Sequence, residues 1–91
     1  METKEKFNLL FDNFKEFMKE KNKRYGNSAL EPCNIFSKVD AENSILIRLD
    51  DKLNRVMNSK ELRKNDIADI FGYLSLLMIS KDWITFDDLI D

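Results

Sequence analysis

The stretch "IRLDDKLNRV", residues 47 to 56, decides how this chain is read. Its apolar residues belong to a longer series, Ile45, Leu46, Leu49, Leu53, Val56 and Met57, which falls within about 120° of arc when successive residues turn by 100°. That spacing predicts an amphipathic helix. Asp40 is its expected N-cap, the acids at 40 and 42 suit its positive end, and the helix is expected to run to about Asn58. Aspartate is a poor helix former, so the adjacent Asp50 and Asp51 ask for a reason. Asp50 falls at the edge of the apolar stripe, whereas Asp51 lies with Arg48 and Arg55 on the other side. The two acids therefore address different surfaces.

Working outward, Phe7, Leu10, Phe11, Phe14, Phe17 and Met18 recur three and four apart and predict a first helix from about Lys4 to Lys23. Gly26 and Asn27 interrupt it. The connector "NSALEPCNIFSKVD" offers Leu30, Ile35, Phe36 and Val39 as anchors to the core. After a turn from Ser59 to Lys64, a third helix is expected over Asn65 to Ser80, with Ile67, Ile70, Phe71, Leu74, Leu77 and Met78 as its main apolar face. Ala68, Leu76 and Ile79 lie on the opposite side, so this helix should be covered on more than one face and stand at the centre of the fold. Near the end, "TFDD" fits a capping pattern in which Thr85 starts a short last helix, with Trp83 and Phe86 as a lid on the core.

The expected fold is therefore all-α: a single domain over residues 1–91, a small bundle of three main helices plus a short C-terminal helix. A chain of 91 residues buries only a modest fraction of its surface. Completion of the bundle by a homodimer is expected for that reason.

Composition removes several classes of function. Net charge is −2, from 17 acids and 15 bases, so a general attraction to nucleic acid or membrane is absent. The basic run "KEFMKEKNKR" at 15 to 24 suits the negative end of a helix. There is no histidine, and the lone Cys33 can form no internal disulfide and has no histidine to activate it. The most apolar stretch, around 70 to 79, is too short and interrupted to span a bilayer, and no export signal is evident. A cytoplasmic protein is expected.

Two predicted helices each bring acids toward an apolar face, Asp50 and Asp51 on one, Asp66 and Asp69 on the other, and Tyr73 continues the row of Asp66 and Asp69. Gathering carboxylates in a partly buried place is unfavourable unless a cation joins them. Magnesium takes oxygen ligands and commonly bridges carboxylates to phosphates. With Arg48, Lys52 and Arg55 near the same helix, the inventory suits a phosphorylated substrate. Simpler roles compete: Asp66 at a helix N-terminus, Asp51 paired with Arg55, and Asp50 as a boundary residue.

At these residues the sequence resembles a known group. The run "KNKRYGNSALEP…IFSKVDAENSILIRLDDKLNRV" followed by "NDIADIFGYLSLL" is similar to the small phage and bacterial proteins called the nucleotide modification associated domain. Those are related to the MazG-like all-alpha nucleoside triphosphate pyrophosphatases, in which two helices supply Glu-x-x-Glu and Glu-x-x-Asp patterns that hold magnesium and a nucleotide. Asp66-x-x-Asp69 stands where the second pattern would, and Asp51 where the last acid of the first would be. Arg48 departs from the pattern, standing in place of its first acid.

The resemblance implies a magnesium-dependent nucleotide-handling protein that cleaves a (deoxy)nucleoside triphosphate to the monophosphate and pyrophosphate, in the cytoplasm of a bacterial host of the phage. Asp51, Asp66 and Asp69 would hold Mg2+, and Asp50 would be a further ligand or orient the attacking water. Arg48, Lys52 and Arg55, with Lys23 and Arg24 after the first helix, would meet phosphates; Asn27, Ser28 and Tyr73 would contact the rest of the substrate. Whether catalysis survives the arginine at position 48 is left open by the residues. The alternative is a non-catalytic phage-encoded helical module that binds and inhibits a host protein.

Overall fold

A computed structural model describes residues 1–32 and 39–90. Among them the only regular elements are helical: α1 over Thr3–Tyr25, α2 over Ala41–Asn58, α3 over Lys64–Ser80, and a single 3-10 turn over Asp87–Leu89. The all-α expectation holds. Cys33, Ile35 and Phe36 lie outside the described residues.

Local chemistry sets the helix ends. The Asp40 carboxylate accepts the Asn43 backbone N–H at 2.8 Å, which satisfies one of the orphan donors of the first turn of α2. α1 runs two residues beyond the expected Lys23 and stops where Gly26 takes φ 64° and Asn27 φ 62°. The carbonyl of Asn22 accepts the N–H groups of Gly26 and Asn27, at 2.9 and 3.4 Å. Left-handed backbone is cheap for glycine and tolerable for asparagine, so this pair ends the helix and swings Asn27 and Ser28 back across it.

α2 and α3 form an antiparallel hairpin joined by five residues. Its open end is tied by Lys81 and Glu42, 2.8 Å apart, so the last turn of α3 stands beside the first turn of α2. Ile45 and Leu49 are the buried apolar residues of α2, facing α3. α1 crosses the other side of α3, where Phe14 and Phe11 meet the Phe71 ring at centroid distances of 3.9 and 5.9 Å. At the crossing Gly72 is buried, and a Cβ there would stand 3.3 Å from Met18 Sδ. Met18 of α1 packs over the bare backbone at this position, where a side chain larger than a methyl would displace it.

α3 thus touches both other helices, as its two-sided hydrophobicity predicts. The C-terminal expectation needs correction. Thr85 caps nothing: Phe86 precedes the 3-10 turn and no side chain caps it. Trp83 and Phe86 are exposed, and form no lid. Three residues cannot repay the ordering of a helical nucleus, and the capping pattern alone is too weak to dock the segment. No helix among the described residues is long and apolar enough to cross a membrane.

Candidate functional site

Where α1 crosses α3, the two helices and the Asn27 turn enclose an open groove of about 800 Å³. In its N-terminal half α1 contributes Phe11 and Phe14, and α3 contributes Leu76 and Ile79. Polar side chains share the lining, among them Lys15, Lys19, Lys21, Asn27, Arg48, Asp69 and Tyr73. Three stretches far apart in sequence meet there. Asn27 and Ser28 arrive through the left-handed turn, Arg48 through the side of α2 away from its apolar row, and Asp69 and Tyr73 through α3.

Asp69 is the hub of the charged groups here. Lys52 Nζ lies 2.8 Å from its Oδ2 and Lys21 Nζ 3.4 Å from its Oδ1. Burial by itself would raise the Asp69 pKa, but hydrogen bonds and charge from Lys52, and then from Lys21, outweigh it and hold the carboxyl below its ordinary value. The triad links all three helices. Lys21 also stands 4.8 Å from the centre of the Phe17 ring, a cation–π contact that steadies its stem.

Asp51 and Asp66 are together, but elsewhere. With Arg55, Asn54, Asn58, Ser59 and Arg63 they line a second, more polar cleft beside the α2–α3 turn. Asp66 is only 2% exposed. Among the described residues no hydrogen bond or ion pair reaches its carboxylate, which lines the cleft. Asp50 is exposed and lines neither recess. Lys23 and Arg24 are also exposed, and Arg24 Nε turns back to Glu20 at 3.0 Å.

A magnesium ion needs oxygens that converge and are free to bind it. Among the described residues no group of three or more acidic or cysteine side chains stands close enough to hold an ion. Asp69 faces the groove with an ammonium at each oxygen, while Asp51 and Asp66 face the other cleft. As one chain arranges them, Asp51, Asp66 and Asp69 do not fit the metal that the resemblance implies.

Four of the expected substrate residues, Asn27, Ser28, Arg48 and Tyr73, share the groove, and Lys52 reaches it through Asp69. Lys21 is the residue that sequence reasoning passed over. Its signal was present: three residues after Met18, it continues the apolar stripe of α1, where the stem packs and the ammonium reaches past it toward a carboxylate. Its expected neighbours, Lys23 and Arg24, point elsewhere. No protein-family model, curated protein or solved structure matches the chain.

Proposed function

We propose that this protein binds a nucleotide, with a nucleoside triphosphate as the best candidate, in the groove between α1 and α3. One observation carries the reading: the groove combines apolar and aromatic side chains with basic and hydrogen-bonding ones, drawn from three separated stretches of sequence. A nucleotide asks for both kinds of contact, with a flat heterocycle joined through a sugar to an anionic tail. Pockets for such molecules typically measure about 300 to 1,000 Å³ and are mostly apolar with a few placed polar groups. The base would lie among Phe11, Phe14, Leu76 and Ile79, and Lys21 and Arg48 would meet the phosphates. Asn27, Ser28 and Tyr73 would hydrogen-bond between them.

Asp69 has a definite part in this reading. By holding Lys21 and Lys52 at fixed positions it orients two ammonium groups before ligand arrives, which lowers the entropy lost on binding. The resemblance to the MazG-like proteins supports the nucleotide class and implies cleavage to the monophosphate and pyrophosphate. The pairing of Asp69 with lysines favours binding over metal-assisted hydrolysis within a single chain.

Isothermal titration with nonhydrolysable nucleoside triphosphates, with and without magnesium, tests the reading, followed by an assay for pyrophosphate release across canonical and modified triphosphates. Saturable binding that is weakened by Arg48→Glu supports it. No binding by a folded protein to any triphosphate removes it. The exposed Phe7, Leu10 and Phe17 on α1 favour a second reading, a non-catalytic module that binds a host protein through this helix. Stoichiometric protein binding indifferent to nucleotide and magnesium would distinguish it.

A further inference from the structure

The cleft beside the α2–α3 turn holds a buried charge that the chain itself leaves unanswered. Asp66 is 2% exposed, and its carboxylate has no hydrogen-bond or ion-pair partner among the described residues. Among those residues no fully enclosed side-chain oxygen or nitrogen lacks a partner. Both oxygens of Asp66 must therefore keep the little exposure the residue has, and it opens into the cleft that Asp66 lines. The first turn of α3, where Asp66 stands, is the end of a helix that favours a negative group, but it supplies no donor here. Burying a carboxylate without a donor is strongly unfavourable.

Neighbours that could have supplied a proton are engaged elsewhere. Asn58 Nδ2 donates to the backbone oxygen and the Oδ1 of Asn54, at 2.9 and 3.1 Å. The Ser59 hydroxyl donates to the Glu61 carbonyl at 2.6 Å. Arg55 and Arg63 line the same cleft and are exposed, yet neither makes an ion pair among the described residues, and nor does Asp51. The cleft thus gathers two carboxylates and two guanidinium groups that do not neutralise one another.

That combination selects a ligand. A magnesium ion wants roughly six oxygens, and this lining offers two carboxylates beside two cations. A polyamine would answer the acids but meet the arginines, and an inorganic anion would do the reverse. A molecule with a cationic N–H fork at one end and a carboxylate at the other answers both. A guanidinium donates to both oxygens of one carboxylate at once, and an arginine side chain receives a carboxylate in the same way. At about 580 Å³ the cleft lies within the range usual for small-molecule sites, about 300 to 1,000 Å³.

We infer that this cleft binds a small zwitterion, its guanidinium on Asp66 and Asp51 and its carboxylate on Arg55 and Arg63. Two acids that the resemblance would give to magnesium thereby take a different occupant. The inference does not rest on the nucleotide reading, since no residue of this cleft lines the groove between α1 and α3.

Isothermal titration with free L-arginine tests it, beside two analogues. Agmatine keeps the guanidinium but has no carboxylate; L-citrulline keeps the carboxylate but carries a neutral urea. L-arginine should bind saturably, and each analogue at least about 10-fold more weakly, because each leaves one set of charges unanswered. Asp66→Asn, nearly isosteric, and Arg63→Gln, at an exposed side chain, should each weaken L-arginine binding at least about 10-fold. A folded protein that shows no saturable binding of L-arginine overturns the inference. Agmatine binding as tightly as L-arginine overturns it too, by leaving Arg55 and Arg63 no part, and so does an Asp66→Asn protein that binds like wild type. Magnesium binding that is lost in Asp66→Asn, with no response to L-arginine, would assign the acids to the metal instead. Should a variant fail to fold, NMR of the wild type decides. Asn54 and Asn58 side-chain amide signals that shift with L-arginine but not with L-citrulline support the site, and unmoved signals overturn it.

Discussion

Lys52 on α2 and Asp69 on α3 form an ion pair of 2.8 Å, and Lys21 from α1 approaches the other oxygen of the same carboxylate at 3.4 Å. One aspartate therefore joins three helices. Neither lysine is deeply buried and the Asp69 side chain is 25% exposed, so the triad acts more through geometry than through net stabilisation.

Acid should loosen this joint. The Asp69 pKa is depressed in the fold, so its contribution to stability is fully present above the unfolded value of about 3.9 and is lost as pH falls through the lower, folded value. Urea unfolding at a series of pH values below 5 should show wild type losing stability more steeply than Asp69→Asn. Parallel curves would deny the triad a role in the acid branch.

At neutral pH, Asp69→Ala should cost about 1 to 3 kcal/mol, since it leaves two partly buried ammonium groups without their acceptor. The same variant should weaken triphosphate binding, because Lys21 and Lys52 lose their common anchor. Thermal unfolding and titration calorimetry measure the two effects separately. A stability loss with unchanged binding would confine Asp69 to a structural role.

Arg48→Glu reverses a charge in the groove lining and should reduce triphosphate affinity at least about 10-fold, equivalent to about 1.4 kcal/mol. Arg48 is exposed and makes no ion pair among the described residues, so stability should hardly change. A gain of pyrophosphate release would instead mean that an acid is wanted at this position, as in the MazG-like pattern.

Gly72 sits at the α1–α3 crossing with Met18 against it. Gly72→Ala should be neutral or stabilising by up to about 1 kcal/mol, since alanine is the better helix former and the flexible thioether at 3.3 Å needs to give only a few tenths of an ångström. Gly72→Leu should push α1 away and destabilise the protein by about 1 to 3 kcal/mol. Thermal melts of the two variants give the comparison directly.

Asp40→Ala should cost about 1 kcal/mol by removing the N-cap of α2. Asp40→Asn, which keeps an acceptor oxygen, should recover most of that loss. Chemical denaturation resolves a difference of this size, and equal losses in both variants would assign the effect to charge at the helix end.

Features set by interactions within a few residues could be read from the chain alone. The three helices follow from apolar spacing, the start of α2 from the Asp40 carboxylate, and the end of α1 from Gly26 and Asn27, because propensity, capping and left-handed backbone are local interactions. The division between Asp50 and Asp51 was legible for the same reason: they stand 100° apart on one helix whatever surrounds them. Packing between helices set the rest: Asp69 turns to the groove and takes Lys21 and Lys52, while Asp66 turns with Asp51 to the cleft beside the turn. Periodicity says which residues share a face of one helix, but not which face meets which neighbour or at what crossing. That choice is made by packing across tens of residues, by Met18 seated over Gly72 and by ring contacts on Phe71, and four carboxylates that look like one cluster along the sequence are separated by it.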